Sequence, residues 1–293
     1  MTTHSPTTLI ARWNTPNPQG TVPVLARSLS TNLGANSSGR WIVNIRTLRL
    51  PAPAHGANTK PKQPVVEGRN LYMVRKFELE RESTALVVQD PNQPLRSDSE
   101  SRSHSHWTYA EVAPPSPSSS SAAIDSFIGR VLVAPAASTA SASASSPSSS
   151  SATPAWQARP TALSIEGATF SISSNPISHP TNTDWIVKLA VVNLKGGTAG
   201  GTTRGCLIQG RKATYLPIPY LPAHSTLVRD FLYSLFPAQA VQNGEVSLVE
   251  PNEQDLVEAG ILDPSQPGDE EWEWQDKHSL FTYIKQFKKE GLL

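Results

Sequence analysis

Residues 41–50 read WIVNIRTLRL. In an extended chain, Trp41, Val43, Ile45, Thr47 and Arg49 point one way and Ile42, Asn44, Arg46, Leu48 and Leu50 the other. The first half is apolar on both sides, the pattern of a strand covered on both faces. The same kind of run recurs on either side of it. LYMVRKFEL at Leu71–Leu79 and TALVVQ at Thr84–Gln89 are joined by a short polar link, which predicts an antiparallel hairpin. Trp107–Val112 reads as a short strand, as does Leu9–Trp13 (LIARW) near the start. In the second half, Leu163–Glu166 and Thr169–Ile172 are strand-like runs flanking Gly167. WIVKLAVVNL at Trp185–Leu194 and the run Arg204–Tyr215 flank a glycine-rich link, KGGTAGGTT, and predict a second hairpin.

Helical spacing is confined to separate places. Val22, Leu25, Leu29 and Leu33 recur at intervals of three and four, with Thr21 as a candidate cap, Pro23 in the first turn and Gly34 as a stop. The preceding Asn14–Gly20 (NTPNPQG) and the proline-punctuated Pro51–Pro64 read as loops. Ser225 opens a helix with Leu227, Val228, Phe231, Leu232, Leu235 and Phe236 on its apolar positions, ended by Pro237. Ala238–Asp276 looks irregular, and His278–Lys289 is an amphipathic helix carrying Leu280, Phe281, Ile284 and Phe287. Antiparallel strands with helices segregated along the chain predict an α+β fold.

The chain has 293 residues, with Lys plus Arg 25, Asp plus Glu 24 and a formal net charge of +1. That balance speaks against a strongly basic nucleic-acid binder and an acidic tail. Charged residues are 17% and hydrophobic ones 38%, both low for a folded chain. The diluting segment is a tract that from Pro135 to Pro154 contains only Pro, Ala, Ser and Thr. Such a segment has nothing to bury against its ordering entropy of roughly 1–2 kcal/mol per residue. The expectation is one domain over residues 1–293 with a disordered Ser/Ala/Pro insert at 114–123 and 134–155. The island Ile124–Val133 between these stretches keeps helical apolar spacing. A single cysteine, Cys206, excludes a disulfide framework and predicts a reduced, intracellular chain. No signal-like start and no bilayer-length apolar run is visible, so no membrane association is expected.

Candidate chemistry is sparse. Gly196 and Gly201 have phosphate-loop spacing with Thr203 in the metal-binding position, but Thr202 stands where the lysine belongs and a strand follows instead of a helix. His104 and His106 sit in a Ser-rich stretch without further ligands for a metal. Cys206, in a strand, reads as a small core residue. Glu78 and Glu80 in FELERE project from one face of a strand, the arrangement with which tunnel-type triphosphatases hold a metal. A second such pair, Glu271 and Glu273, lies in the irregular acidic stretch. Arg75, Lys76 and Arg81 surround the first pair with partners. No cofactor is expected.

Several stretches, taken in order, resemble Mediator of RNA polymerase II transcription subunit 20, in a fungal-looking form. They are GRWIVNIRTLRL at Gly39–Leu50, NLYMVRKFELERESTALVVQD at Asn70–Asp90 and IDSFIGRV at Ile124–Val131. After them come the strand pair Trp185–Leu194 and Arg204–Tyr215, the helix Ser225–Phe236 and the terminal helix His278–Lys289. The resemblance implies an antiparallel, β-barrel-like sheet with flanking helices and a nuclear, non-enzymatic transcription subunit. It implies pairing with Mediator subunit 18, tethering through a segment of subunit 8, and contact with RNA polymerase II machinery through the head module. It implies no direct contact with nucleic acid. The alternative is a tunnel-type metal-dependent triphosphatase-like enzyme using Glu78 and Glu80. Strand residues with both faces apolar are the candidate partner interface: Trp41, Val43, Ile45, Leu71, Met73, Arg75, Phe77, Cys206 and Ile208. One face of each strand must fill the core, and either the chain's own helices or a second protein covers the other.

Overall fold

The alternation at Trp41–Ile45 is part of a longer strand, Asn36–Leu50, whose odd positions Trp41, Val43 and Ile45 are almost wholly removed from water. The computed structural model describes residues 4–5, 8–52, 67–79, 81–96, 106–112, 124, 126, 128, 156–173, 183–196, 201–212, 221–222, 225–249, 252–262 and 274–293. The Pro135–Pro154 tract and Glu80, Glu271 and Glu273 lie outside them, as does His104.

In chain order the strands are β1 (His4–Ser5), β2 (Thr8–Trp13), β3 (Asn36–Leu50), β4 (Arg69–Glu78), β5 (Arg81–Gln89), β6 (Trp107–Val112), β7 (Gln157–Ile172), β8 (Trp185–Gly196), β9 (Thr202–Lys212), β10 (Leu221–Pro222) and β11 (Val246–Val249). The helices are α1 (Pro18–Asn32), α2 (Leu227–Ser234), α3 (Ala238–Gln242), α4 (Glu253–Glu258) and α5 (Asp276–Lys289). Nine strands form one sheet in the order β11-β2-β9-β8-β7-β3-β4-β5-β6, and β1 pairs with β10 apart from it. Each neighbouring pair runs antiparallel, and both expected hairpins, β4–β5 and β8–β9, are present. The protein is an α+β fold built on a large antiparallel sheet. The sheet is open, with β11 and β6 as its edges.

The two faces of the sheet are covered differently. On one, Trp41, Val43 and Ile45 of β3, Tyr72 and Val74 of β4, Ile165 of β7, Val192 of β8 and Leu207 of β9 share a core with Leu280, Phe281, Tyr283, Ile284 and Phe287 of α5. Trp107 of β6 and Val249 of β11 belong to that same core. Both edges therefore reach one helix, and the sheet wraps around α5. On the outer face, Leu9, Val187, Leu189, Cys206 and Ile208 pack under Leu25 and Leu29 of α1 and Val228 and Leu232 of α2. The rest of the outer face is a smaller cluster in which Leu48, Leu71 and Met73 meet Ile128, with Ile124 and Trp156 alongside.

Several expectations about local structure need correction. The first helix begins at Pro18, not Thr21, because the Asn17 side chain accepts a hydrogen bond from the Gly20 amide at 3.1 Å and Pro18 fits the first turn. Gly167 does not separate two strands. It lies inside β7, where a Cβ would stand 1.9 Å from the Leu189 carbonyl oxygen, so only glycine permits the β8 backbone to come so close. Ala238–Asp276 is not irregular throughout, since it holds α3, β11 and α4. Four residues of alternation in β11 are too few to register as a strand by pattern alone.

Candidate functional site

The inner face carries charge at one end of α5. Lys76 and Glu78 from β4, Lys188 from β8 and Asp276 from the first turn of α5 meet there, beside a cavity of about 620 Å³ that is also lined by Arg81, Gln209 and Trp274. The Glu78 carboxylate accepts from Lys76 at 2.9 Å and from Lys188 at 2.8 Å. Asp276 pairs with Lys76 and lies 4.0 Å from Lys188. Burial alone pulls the Lys76 pKa down, but the hydrogen bonds and charges of Asp276 and Glu78 outweigh it, and the net shift is upward. The Lys188 ammonium also sits 5.6 Å from the centre of the Trp41 ring. Two cations and two carboxylates make a charge-balanced cluster that ties the start of α5 to the middle of the sheet.

Beside this cluster, two buried hydroxyls of α5, those of Ser279 and Tyr283, meet one strand residue. Gln209 of β9 donates to the Ser279 hydroxyl at 3.0 Å and accepts from the Tyr283 hydroxyl, and the Trp274 indole donates to Ser279 at 2.7 Å. The other end of the helix is held by Arg12 of β2, itself 1% exposed. Its guanidinium pairs with Glu290 at 3.2 Å and donates to the carbonyls of Cys206, at 3.0 Å, and Arg204. His278 accepts from the Gln275 amide at 2.8 Å to close a capping box, and burial with Lys277 beside it lowers its pKa to about 4.

The residues expected to form a partner interface fall into separate places. Trp41, Val43 and Ile45 face α5, whereas Cys206 and Ile208 lie under α1 and α2. Leu71 and Met73 are buried with Leu48 and Ile128. Phe77 is the outward residue of the set at 37% exposed, and Leu79 beside it is 56% exposed. Arg75, on the same face of β4, is half-buried. Cys206 is a core residue, and burial pushes its thiol up to about 11, against the opposing charge of Arg12. The glutamate pair resolves into Glu78 alone among the described residues, with both its oxygens engaged by lysines. Among the described residues, no three His, Cys, Asp or Glu side chains group to hold a metal ion, and no helix is long and apolar enough to cross a membrane.

Lys188, Gln209, Asp276 and Arg12 were not singled out as functional from the sequence. A signal existed for two of them. Lys188 and Arg12 are lone charges inside otherwise apolar strands, and a charge buried there requires a partner. Nothing local names the partner, which lies 110 residues away for Lys188 and 278 for Arg12.

No protein-family model matches the chain, and no curated protein does. Among solved structures it is similar to the PH1819 protein from Pyrococcus horikoshii OT3, at 8% identity and a TM-score of 0.31, covering 78% of this chain and 88% of that one. A likeness at that score carries no argument about function.

Proposed function

We propose that this chain is a non-enzymatic structural subunit of the Mediator head module, acting in the nucleus through a heterodimer with Mediator subunit 18 and a tethering segment of subunit 8. The observation that supports a scaffold over an enzyme is the occupation of the inner face. A tunnel-type triphosphatase needs inward glutamates facing an open lumen, and metal catalysis needs carboxylates free to act as ligands. Here Leu280, Phe281, Tyr283, Ile284 and Phe287 pack against that face, and the Glu78 oxygens beside the remaining cavity are taken up by two ammonium groups. The partner reading rests on the order of stretches that resemble subunit 20. Phe77, with Leu79 next to it, is the exposed part of the expected interface among the described residues.

The test is co-expression with subunit 18 followed by size-exclusion with light scattering. A 1:1 complex is expected, weakened by Phe77→Asp, because a permanent interface of about 2,000 Å² or more tolerates no unpaired charge in its middle. A chain that ignores subunit 18 at micromolar concentration would overturn the partner assignment. Release of phosphate from a triphosphate with Mg²⁺ or Mn²⁺, abolished by Glu78→Gln, would overturn the scaffold reading.

A further inference from the structure

The two edges of the sheet bound a groove that the function proposed above does not use. Between β6 and β11, over the last turns of α5, lies a space of about 520 Å³ lined by Trp107, Val249, Leu256, Phe281, Lys285 and Lys288, among others. Its floor is apolar and ordered: Trp107 packs edge-on against Phe281 at 5.3 Å and stacks with Tyr72 at 6.2 Å. Trp107 and Val249 are the residues of β6 and β11 that reach it, and Asn252, Asp255 and Leu256 form one wall. Among the described residues β6 pairs with β5 alone and β11 with β2 alone, so each keeps one edge that no other strand pairs.

Positive charge gathers at the rim of the groove. Lys285, Lys288 and Lys289 lie at its rim, and only Lys285 has a carboxylate, Asp255 at 3.0 Å. Lys288 donates to the Gln89 side-chain carbonyl at 2.5 Å, and both Lys285 and Lys288 sit over the Trp107 ring, at 5.6 and 5.5 Å from its centre. Among the described residues, neither Lys288 nor Lys289 has a carboxylate within ion-pair distance. Burial and the neighbouring Lys285 lower the Lys288 pKa, against the opposing charge of Glu67.

We propose that this groove docks an acidic, extended peptide segment of a partner protein, which adds as a strand to the β6 edge and sets its carboxylates on Lys288 and Lys289. Strand addition supplies main-chain hydrogen bonds, and the alternate side chains of the added strand meet the Trp107 floor and the lysine rim. A nucleic acid is the poorer fit. Its backbone needs a basic field along an extended track, and this chain has a net charge of +1 with two uncompensated lysines and a single groove tryptophan.

The experiment is fluorescence polarisation of the full chain with a short labelled peptide alternating Glu and Val. The controls are its backbone N-methylated form, the Lys–Val counterpart and an oligouridine of similar length. The acidic peptide binds, and the Lys288→Gln, Lys289→Gln double variant weakens it roughly tenfold or more, the equivalent of one charged contact. N-methylation weakens it by a similar factor, because strand pairing is lost. Circular dichroism at the assay temperature checks that the variant is folded, since Lys288 also contacts Gln89 and Trp107. A charge-reversed Lys288→Glu, Lys289→Glu variant gives a second reading, since it prefers the Lys–Val peptide. The proposal falls if the acidic peptide does not bind, if the double variant or N-methylation leaves binding unchanged, or if the oligouridine binds as tightly.

Discussion

Replacing Glu78 with Gln separates a structural role for this carboxylate from a catalytic one. The side chains of Lys76, Glu78 and Lys188 are 13%, 12% and 11% exposed, so all three charges are largely desolvated. Glu78→Gln keeps the shape and removes the charge, leaving Lys188 with Asp276 at 4.0 Å. Breaking a buried pair from one side costs about 3–5 kcal/mol, because the remaining charge is left uncompensated. In this protein the cluster borders a cavity and Asp276 stays in place, which moves the loss toward about 2 kcal/mol. For a chain of this size that is a fall of about 4–8 °C in melting temperature. Removing both charges, with Glu78→Leu and Lys188→Met together, is expected to recover most of the loss, because apolar side chains then fill the space with no stranded ion. Thermal unfolding followed by circular dichroism reads both variants. A single variant as stable as the parent, or a double variant less stable than the single one, would refute the view that Glu78 exists to balance Lys188 and anchor α5.

Two further predictions concern α5 and the sheet beneath it. His278 is held neutral, with its pKa lowered to about 4 by burial and by Lys277. The unfolded chain takes up this proton near its ordinary pKa of about 6.5, so the stability His278 contributes is complete above that pH. It drains away as pH falls toward 4, at up to about 1.4 kcal/mol per pH unit. His278→Gln keeps a capping-box residue at this position and should flatten that window relative to the parent in urea unfolding at pH 7, 5.5 and 4.5; parallel pH profiles would refute the assignment. Gly167→Ala drives a Cβ to 1.9 Å from the Leu189 carbonyl oxygen and should cost about 2–3 kcal/mol. Gly201→Ala, where the added atom meets only the Leu194 carbonyl at 3.7 Å, should be nearly silent by the same melting assay.

The alternation at Trp41–Ile45, the hairpins flanking residues 79–84 and 195–203, and the three longest helices were legible in the sequence. Each is encoded by side chains within a few residues of one another: a period of two leaves one face of a strand apolar, and a period near four leaves one stripe of a helix apolar. The same local code marks Cys206 as a core residue, and it is buried. What it does not encode is which distant surface covers an apolar face. His278–Lys289 reads as an amphipathic helix with Leu280, Phe281, Ile284 and Phe287 on its apolar face, yet eight of its residues are buried, since a nine-stranded sheet wraps around it. The interface expected at Trp41, Val43 and Ile45 is taken by that helix, and the one at Cys206 and Ile208 by α1 and α2. Glu78 looked like half of an inward acidic pair on a strand. Tertiary structure decided otherwise by bringing Lys188 to it from 110 residues away, and an ion pair of that reach has no signature in either strand alone. Local spacing thus determined the elements and their apolar faces, and only the packing of the open sheet against α5 decided which charges neutralise one another and which, at Lys288 and Lys289, are left exposed.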